Sequence, residues 1–214
     1  MLNHSRRAAL LETARDMNRL GLNQGMSGNV SLRVKNGFLI TPSALAYGAC
    51  SPADMVELDM EGKRVRGQHN PSSEWQLHRD MYRSRSEAGA VLHCHSPWCT
   101  TLACLEQGIP AFHYMVAMAG GDSIACAEYA LFGTSELSAK TLAALSNGRR
   151  ACLLAHHGLV CFGPDLEEAL NLAVEVENLA RCYGQARQIG AVPLLSAAEM
   201  EEVRNKFASY RPAS

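Results

Sequence analysis

The sequence predicts one layered domain over residues 1–214, of the α/β or α+β class. Three observations predict it. Short apolar runs that suit strands interleave with helical-period segments along the whole chain. Hydrophobic residues make up 47% of 214 residues, enough for a sizeable core and too many for a disordered chain. No repeat, low-complexity segment or linker divides the sequence.

The elements follow in order. Residues 5–20 read as an amphipathic helix, with Leu10, Leu11, Ala14, Met17 and Leu20 at helical spacing and Gly21 suited to the position after its end. A loop rich in glycine and small polar residues, 23–29, feeds a strand at 30–34. Lys35-Asn36-Gly37 is a hairpin signal, and 38–41 is the return strand. A strand at 55–59 turns at Glu61-Gly62 towards 63–65. Pro71 and Ser72-Ser73 open a helix to about Tyr82. Ser73 with Gln76 fits a capping box, which makes Ser73 the N-cap and puts Glu74 in the first turn. The apolar run 88–92 leads into His93 and His95, and Pro97-Trp98 opens a helix through Leu105. Residues 111–115 read as a short strand and 120–122 as a loop. Residues 137–145 read as a helix, 151–154 and 159–162 as strands, and Gly163-Pro164 as a stop. Asp165 starts the longest helix, through about Gln188. Ser196 with Glu199 is a second capping box, opening a final helix with Met200, Val203, Phe207 and Tyr210 on one face.

Charge and cysteine content narrow the function. A formal net charge of −1 gives no electrostatic case for nucleic acid or an anionic membrane. No run is long enough to span a bilayer, and the start carries no basic-plus-apolar signal, so a cytoplasmic setting is expected. Eight cysteines without a C-x-x-C pair, several inside apolar runs, read as reduced, buried small hydrophobes.

Three groups of residues carry chemistry. On a strand, His93 and His95 point to one face and can chelate one cation; the plain alternative is two polar positions on an edge strand. His156-His157 follows a second apolar run and could supply a third imidazole, and spacing alone does not choose between the two. Three histidines with an open position are a common way to hold catalytic zinc. His4, His69 and His78 have no partner pattern and read as surface residues. Gly28-Asn29, Ser43 and Ser72-Ser73 stand at loop-to-element junctions, where unpaired N–H groups and a helix dipole favour an anion such as phosphate. Plain capping and turn chemistry explains the same residues. Glu74, between such a cradle and a divalent ion, can join the ligands or act as a general base; it could equally be a first-turn acid answering the dipole.

Taken together, GLNQG at 21–25, SGNVS at 27–31, ITPS at 40–43, PSSEW at 71–75, HCH at 93–95 and HHGL at 156–159 resemble the class II aldolase/adducin family, in order along nearly the whole chain. Ile109-Pro110, His113-Tyr114-Met115 and GGDSI at 120–124 resemble its aldolase branch. The resemblance implies a three-layer α/β/α domain around a mixed, mainly antiparallel sheet. It implies zinc on His93, His95 and His157, with Glu74 as a ligand in the empty site and then as proton shuttle. It places a phosphate near Gly28, Asn29, Ser43, Ala44, Ser72 and Ser73. It gives Tyr114 the proton on the aldehyde oxygen, and sets Phe132, Phe207 and Tyr210 on the aldehyde side, with the C-terminal segment part of the active site. The implied reaction is reversible cleavage of a ketose 1-phosphate, L-fuculose 1-phosphate or a close analogue, to dihydroxyacetone phosphate and an aldehyde such as lactaldehyde, with family aldolases for 5-deoxyribulose or methylthioribulose 1-phosphate as the alternative. No lysine Schiff base is called for: the four lysines, Lys35, Lys63, Lys140 and Lys206, lie outside these motifs. A homotetramer with sites at subunit interfaces is implied as well. Epimerases, dehydratases and decarboxylases of sugar phosphates share the scaffold, the epimerases typically with aspartate at the Glu74 position, and adducin-like heads use it without catalysis. The sequence departs from the family pattern at Met26, where threonine is frequent, at Ala44, where glycine is usual, and at Asn70, where lysine is frequent.

Overall fold

The computed structural model describes the backbone of residues 2–209 and the side chains of residues 4–209. Its centre is one eight-stranded sheet in the order β4-β3-β2-β1-β5-β8-β7-β6. The strands are β1 (Asn29–Val34), β2 (Gly37–Ile40), β3 (Val56–Asp59), β4 (Arg64–Arg66), β5 (Ala90–Cys94), β6 (Cys126–Ala127), β7 (Ala151–Leu154) and β8 (Gly158–Gly163). Every pairing is antiparallel except β6 with β7. Among the described residues six α-helices accompany it: α1 (Leu2–Arg19), α2 (Trp75–Ser84), α3 (Pro97–Cys104), α4 (Ser135–Ala144), α5 (Leu166–Ile189) and α6 (Ala197–Ser209).

The period of two along the strands sorts the core onto two faces. Leu39, Leu92, Leu153, Leu159 and Cys161 pack with Leu10 and Met17 of α1, Leu102 of α3, Val176 and Leu179 of α5 and Met200 of α6. Their strand neighbours Phe38, Ile40, Val91, Cys152, Leu154, Val160 and Phe162 pack on the other face with Leu77, Met81 and Tyr82 of α2 and Leu137 of α4. Burial of both faces makes the domain the expected three-layer α/β/α sandwich.

Two local expectations are corrected. Ser73 is not the cap of α2. The Ser72 carbonyl accepts from Trp75 N at 3.1 Å and its hydroxyl from Glu74 N at 3.3 Å, closing a turn before the helix begins. The N-cap is therefore Glu74, and its side chain makes no cap bond. Residues 111–115 form no strand. The chain bends after Pro110, which has no N–H for a ladder, and enters a 3-10 turn, Tyr114–Ala119. His113 Nδ1 accepts from Met115 N there at 3.3 Å. The second capping box is present: Ser196 and Glu199 exchange bonds at the start of α6. Five of the cysteines are buried, and all eight are free thiols. Among the described residues no helix is long and apolar enough to cross a membrane.

Candidate metal centre and active site

Backbone pairing assembles the site from distant segments. In the β1–β5 ladder Asn29 stands opposite His93, and in the β5–β8 ladder His93 stands opposite Val160. His93 shares the face of Val91 two residues before it, which is the α2 side, and so points at the start of that helix. His95 follows the end of β5, where its N–H donates to Asn23 Oδ1 at 3.1 Å. His157 lies in the turn before β8. Gly158 lets that turn close, because a Cβ there would stand 2.3 Å from the Cys94 carbonyl oxygen.

Here the choice between the adjacent histidines is made. His93, His95 and His157 bring one ring nitrogen each to within 4.8 Å of one another. His156, at φ 55°, turns outward and pairs with Glu106 at 3.1 Å. The His93 Nδ1–H donates to the Leu159 carbonyl at 2.9 Å, which leaves the Nε2 lone pair facing inward. That nitrogen lies 3.0 Å from His95 Nε2 and 3.2 Å from Glu74 Oε2. Glu74 Oε1 stands 3.6 Å from His157 Nε2 and, though buried, has no hydrogen-bond partner. Burial first, and the neighbouring His95 ring second, push the His93 pKa down to about 3. Burial and the His93 ring push His157 down to about 4, and burial lowers His95. Neutral imidazoles beside an orphaned carboxylate oxygen are the donor set of a divalent cation, and they fit zinc.

A cleft of about 350 Å³ opens above these groups. Gly28, Asn29, Ser43, Ala44, Ser72 and Ser73 line it with Met26, Glu74, His95, His157 and Phe132. The small polar turns are held together by the backbone: Ser43 N donates to the Asn70 carbonyl at 2.9 Å and Ser72 N to the Thr41 carbonyl at 3.0 Å. Tyr47 Oη donates to the Gly28 carbonyl at 2.7 Å and ties in the third turn. Gly28 sits at φ 72°, and a Cβ there would lie 2.4 Å from Asn23 Nδ2, so both backbone and space demand glycine. Ala44 also adopts a left-handed backbone, at φ 55°.

Not every expected residue converges. Tyr114 is 51% exposed and stacks on Phe207 with ring centres 6.3 Å apart, and neither lines the cleft. Tyr210 lies outside the described residues. His69 pairs with Asp54 at 2.9 Å, and His4 is exposed. The surface reading of His78 is overturned: it is completely buried and bonds Asn29 and Ser31. Its signal was helical spacing, since four residues after Glu74 is the same helix face.

The comparisons with known proteins agree with this geometry. The family model for the class II aldolase and adducin N-terminal domain matches residues 8–184. The chain belongs to that family, and it is an enzyme, a class II aldolase. It is 52% identical to the 5-methylthioribulose-1-phosphate/5-deoxyribulose-1-phosphate aldolase of Rhodospirillum rubrum, over 95% of this chain and 91% of that protein. It is 48% identical to the L-fuculose phosphate aldolase of Escherichia coli, over 94% and 93%. A solved L-fuculose 1-phosphate aldolase superposes with a TM-score of 0.91 at 37% identity, covering 94% of this chain and 95% of that one.

Proposed function

We propose that the protein is a zinc-dependent aldolase that reversibly cleaves a ketose 1-phosphate to dihydroxyacetone phosphate and an aldehyde. The observation that carries this reading is the placement of Glu74. Its carboxylate stands between three inward-facing imidazoles and a cleft walled by the Gly28, Ser43 and Ser72–Ser73 turns. When bound, zinc would act as a Lewis acid on the ketose oxygens and favour the enediolate. His93, His95 and His157 would hold it, and the Leu159 carbonyl keeps His93 in the required tautomer. The polar turns would hold the substrate phosphate, aided by the dipole of α2. Glu74 would take and return the proton on the carbon that becomes nucleophilic.

Tyr114 would serve the aldehyde oxygen, and Phe132, Phe207 and Tyr210 would line the aldehyde side. Because Tyr114 and Phe207 stand off the cleft of their own chain, this reading has a second copy supply them, in a homotetramer with sites at its interfaces. Exposed Phe132 on the cleft wall, with exposed Tyr129 and Leu131 close to it in the chain, supports such an assembly. The expected compartment is the cytoplasm. L-fuculose 1-phosphate, giving lactaldehyde, remains the first candidate substrate. The relative with 52% identity gives a specific reason to assay 5-methylthioribulose and 5-deoxyribulose 1-phosphates beside it, since they share the dihydroxyacetone phosphate half. Glu74, rather than aspartate, at this position favours aldolase over epimerase chemistry.

Solvent-deuterium exchange into dihydroxyacetone phosphate alone tests the role of Glu74. Glu74→Gln should keep phosphate binding and bound zinc yet lose exchange; normal exchange in that variant removes Glu74 from the proton transfer.

A further inference from the structure

A buried chain of polar side chains runs behind Glu74. Glu74 Oε2 accepts from Asn29 Nδ2 at 3.0 Å. Asn29 Oδ1 lies 2.5 Å from His78 Nε2, His78 Nδ1 lies 2.6 Å from Ser31 Oγ, and Ser31 Oγ lies 2.7 Å from Tyr82 Oη. Ser31 and His78 are 0% exposed, Tyr82 2% and Asn29 3%. β1 supplies Asn29 and Ser31 from alternate positions on one face, and α2 supplies His78 and Tyr82 one helical turn apart.

The direction of this chain is fixed from its Glu74 end. A carboxylate only accepts, so the Asn29 amide nitrogen faces Glu74 and its oxygen faces His78. His78 must then carry its proton on Nε2 and donate. In the neutral ring Nδ1 accepts from the Ser31 hydroxyl, and Ser31 accepts from Tyr82. One proton arrangement gives each of these four hydrogen bonds a donor and an acceptor. Burial supports the neutral ring, pushing the His78 pKa down to about 3 against the pull of Glu74. Turned over, the Asn29 amide would set its oxygen against the carboxylate, acceptor facing acceptor. His78 is the second hold on that setting, since its Nε2–H tautomer meets the Asn29 oxygen with a donor.

We propose that His78 is a positioning residue for the reaction: as the Nε2–H tautomer it locks the Asn29 carboxamide, which in turn fixes where the Glu74 carboxylate stands. The proposal rests on Glu74 being the proton-transfer group. It differs from a packing role, because a leucine or phenylalanine would fill this core position without the polar burden.

The test uses the full-length protein. Ring 15N shifts of the metal-free form at neutral pH should show His78 as the neutral Nε2–H tautomer; an Nδ1–H tautomer or an imidazolium overturns the proposal. His78→Leu should lower both kcat and deuterium exchange into dihydroxyacetone phosphate by about 10- to 100-fold, the usual penalty for losing an orienting partner behind a reactive group. KM should change little, and zinc should remain bound by the three histidines. His78→Gln, whose amide nitrogen can donate where Nε2 does, should restore most of the rate. Ser31→Ala, a smaller change, supplies a second test if His78→Leu does not fold: it removes the hydroxyl that holds Nδ1, loosens the ring behind Asn29 and should slow exchange while KM changes little. Wild-type exchange in His78→Leu or, where that variant does not fold, in Ser31→Ala overturns the positioning role alone. Wild-type exchange in Glu74→Gln overturns the base assignment, and the positioning role with it.

Discussion

His93 and His157 stand near pKa 3 and 4, well below the ordinary 6.5, because burial disfavours a charged ring and each has an imidazole neighbour. Protons therefore compete with a metal for these two nitrogens only in strong acid. Bound zinc should persist as pH falls from about 7 to about 5 and leave only as pH drops below about 4. Zinc release followed with a colorimetric chelator checks this, and half-release near pH 6.5 contradicts it. The same depression makes the metal-free fold sensitive to acid. Unfolded imidazoles bind protons below pH 6.5 while the folded ones do not, so this stability is whole above 6.5 and drains as pH falls towards 4 and then 3. Urea unfolding of metal-free protein at about pH 7.5 and about pH 5 reads the difference, and equal midpoints would contradict it. Ala44 poses a separate question. A left-handed backbone strains alanine by about 1 kcal/mol, so Ala44→Gly should raise stability by up to that amount, less the added freedom of the unfolded chain. A lower melting temperature would show that the Ala44 methyl group contributes contacts that outweigh the strain. At this scale the H-x-H spacing pointed to His93 and His95 standing together, as they do, whereas spacing left His156 and His157 open and the third imidazole came from resemblance to the family. His78 was misread as a surface residue, because its partners Asn29 and Ser31 are 49 and 47 residues away in the chain.

Elements with a strong period were legible. α1, α5 and α6 carry apolar residues at helical spacing, and the strands sort cleanly by alternation. The segment after Pro110 was misread because a short apolar stretch has no period of its own, and packing of Phe112, Met115 and Met118 against the α5 and α6 side decides its shape. β6 is two residues long and exists only as a partner of β7. The start of α3 shows the same limit. Pro97 announces the helix, but the cap is Glu177 of α5, which accepts from Trp98 N and Cys99 N at 2.9 Å each. Ser96, at the N-cap position, makes no side-chain cap bond. Glu177→Ala should therefore lower the stability of the fold by about 1–2 kcal/mol, measured by denaturant unfolding, with both donors left unpaired at a helix N-terminus. A change within error would mean that water replaces the carboxylate there.

For the whole molecule, sheet order is what makes the site. The chain must bring β1, β5 and β8 side by side before Asn29, His93 and His157 can meet, and no local pattern in the sequence encodes that order. The layered class was legible from interleaved elements; the mainly antiparallel sheet came from resemblance to the family. Assembly belongs at this scale too. A single chain leaves Tyr114 and Phe207 off the cleft, and the homotetramer that the family resemblance implies, which would let a neighbour supply them, predicts a solution mass about four times the 23.2 kDa of the chain, read by light scattering. A monomer that is fully active would remove the interface role of Tyr114. The central claim, aldol cleavage that needs the metal on three histidines, has a more direct test. Purified protein is given L-fuculose 1-phosphate, 5-deoxyribulose 1-phosphate and 5-methylthioribulose 1-phosphate in turn, and released dihydroxyacetone phosphate is coupled to a dehydrogenase. The account predicts rapid release from at least one, abolished by a chelator, restored by zinc and absent in His95→Ala. No release from any of the three by zinc-loaded protein, or release undiminished after the metal is stripped, would contradict it.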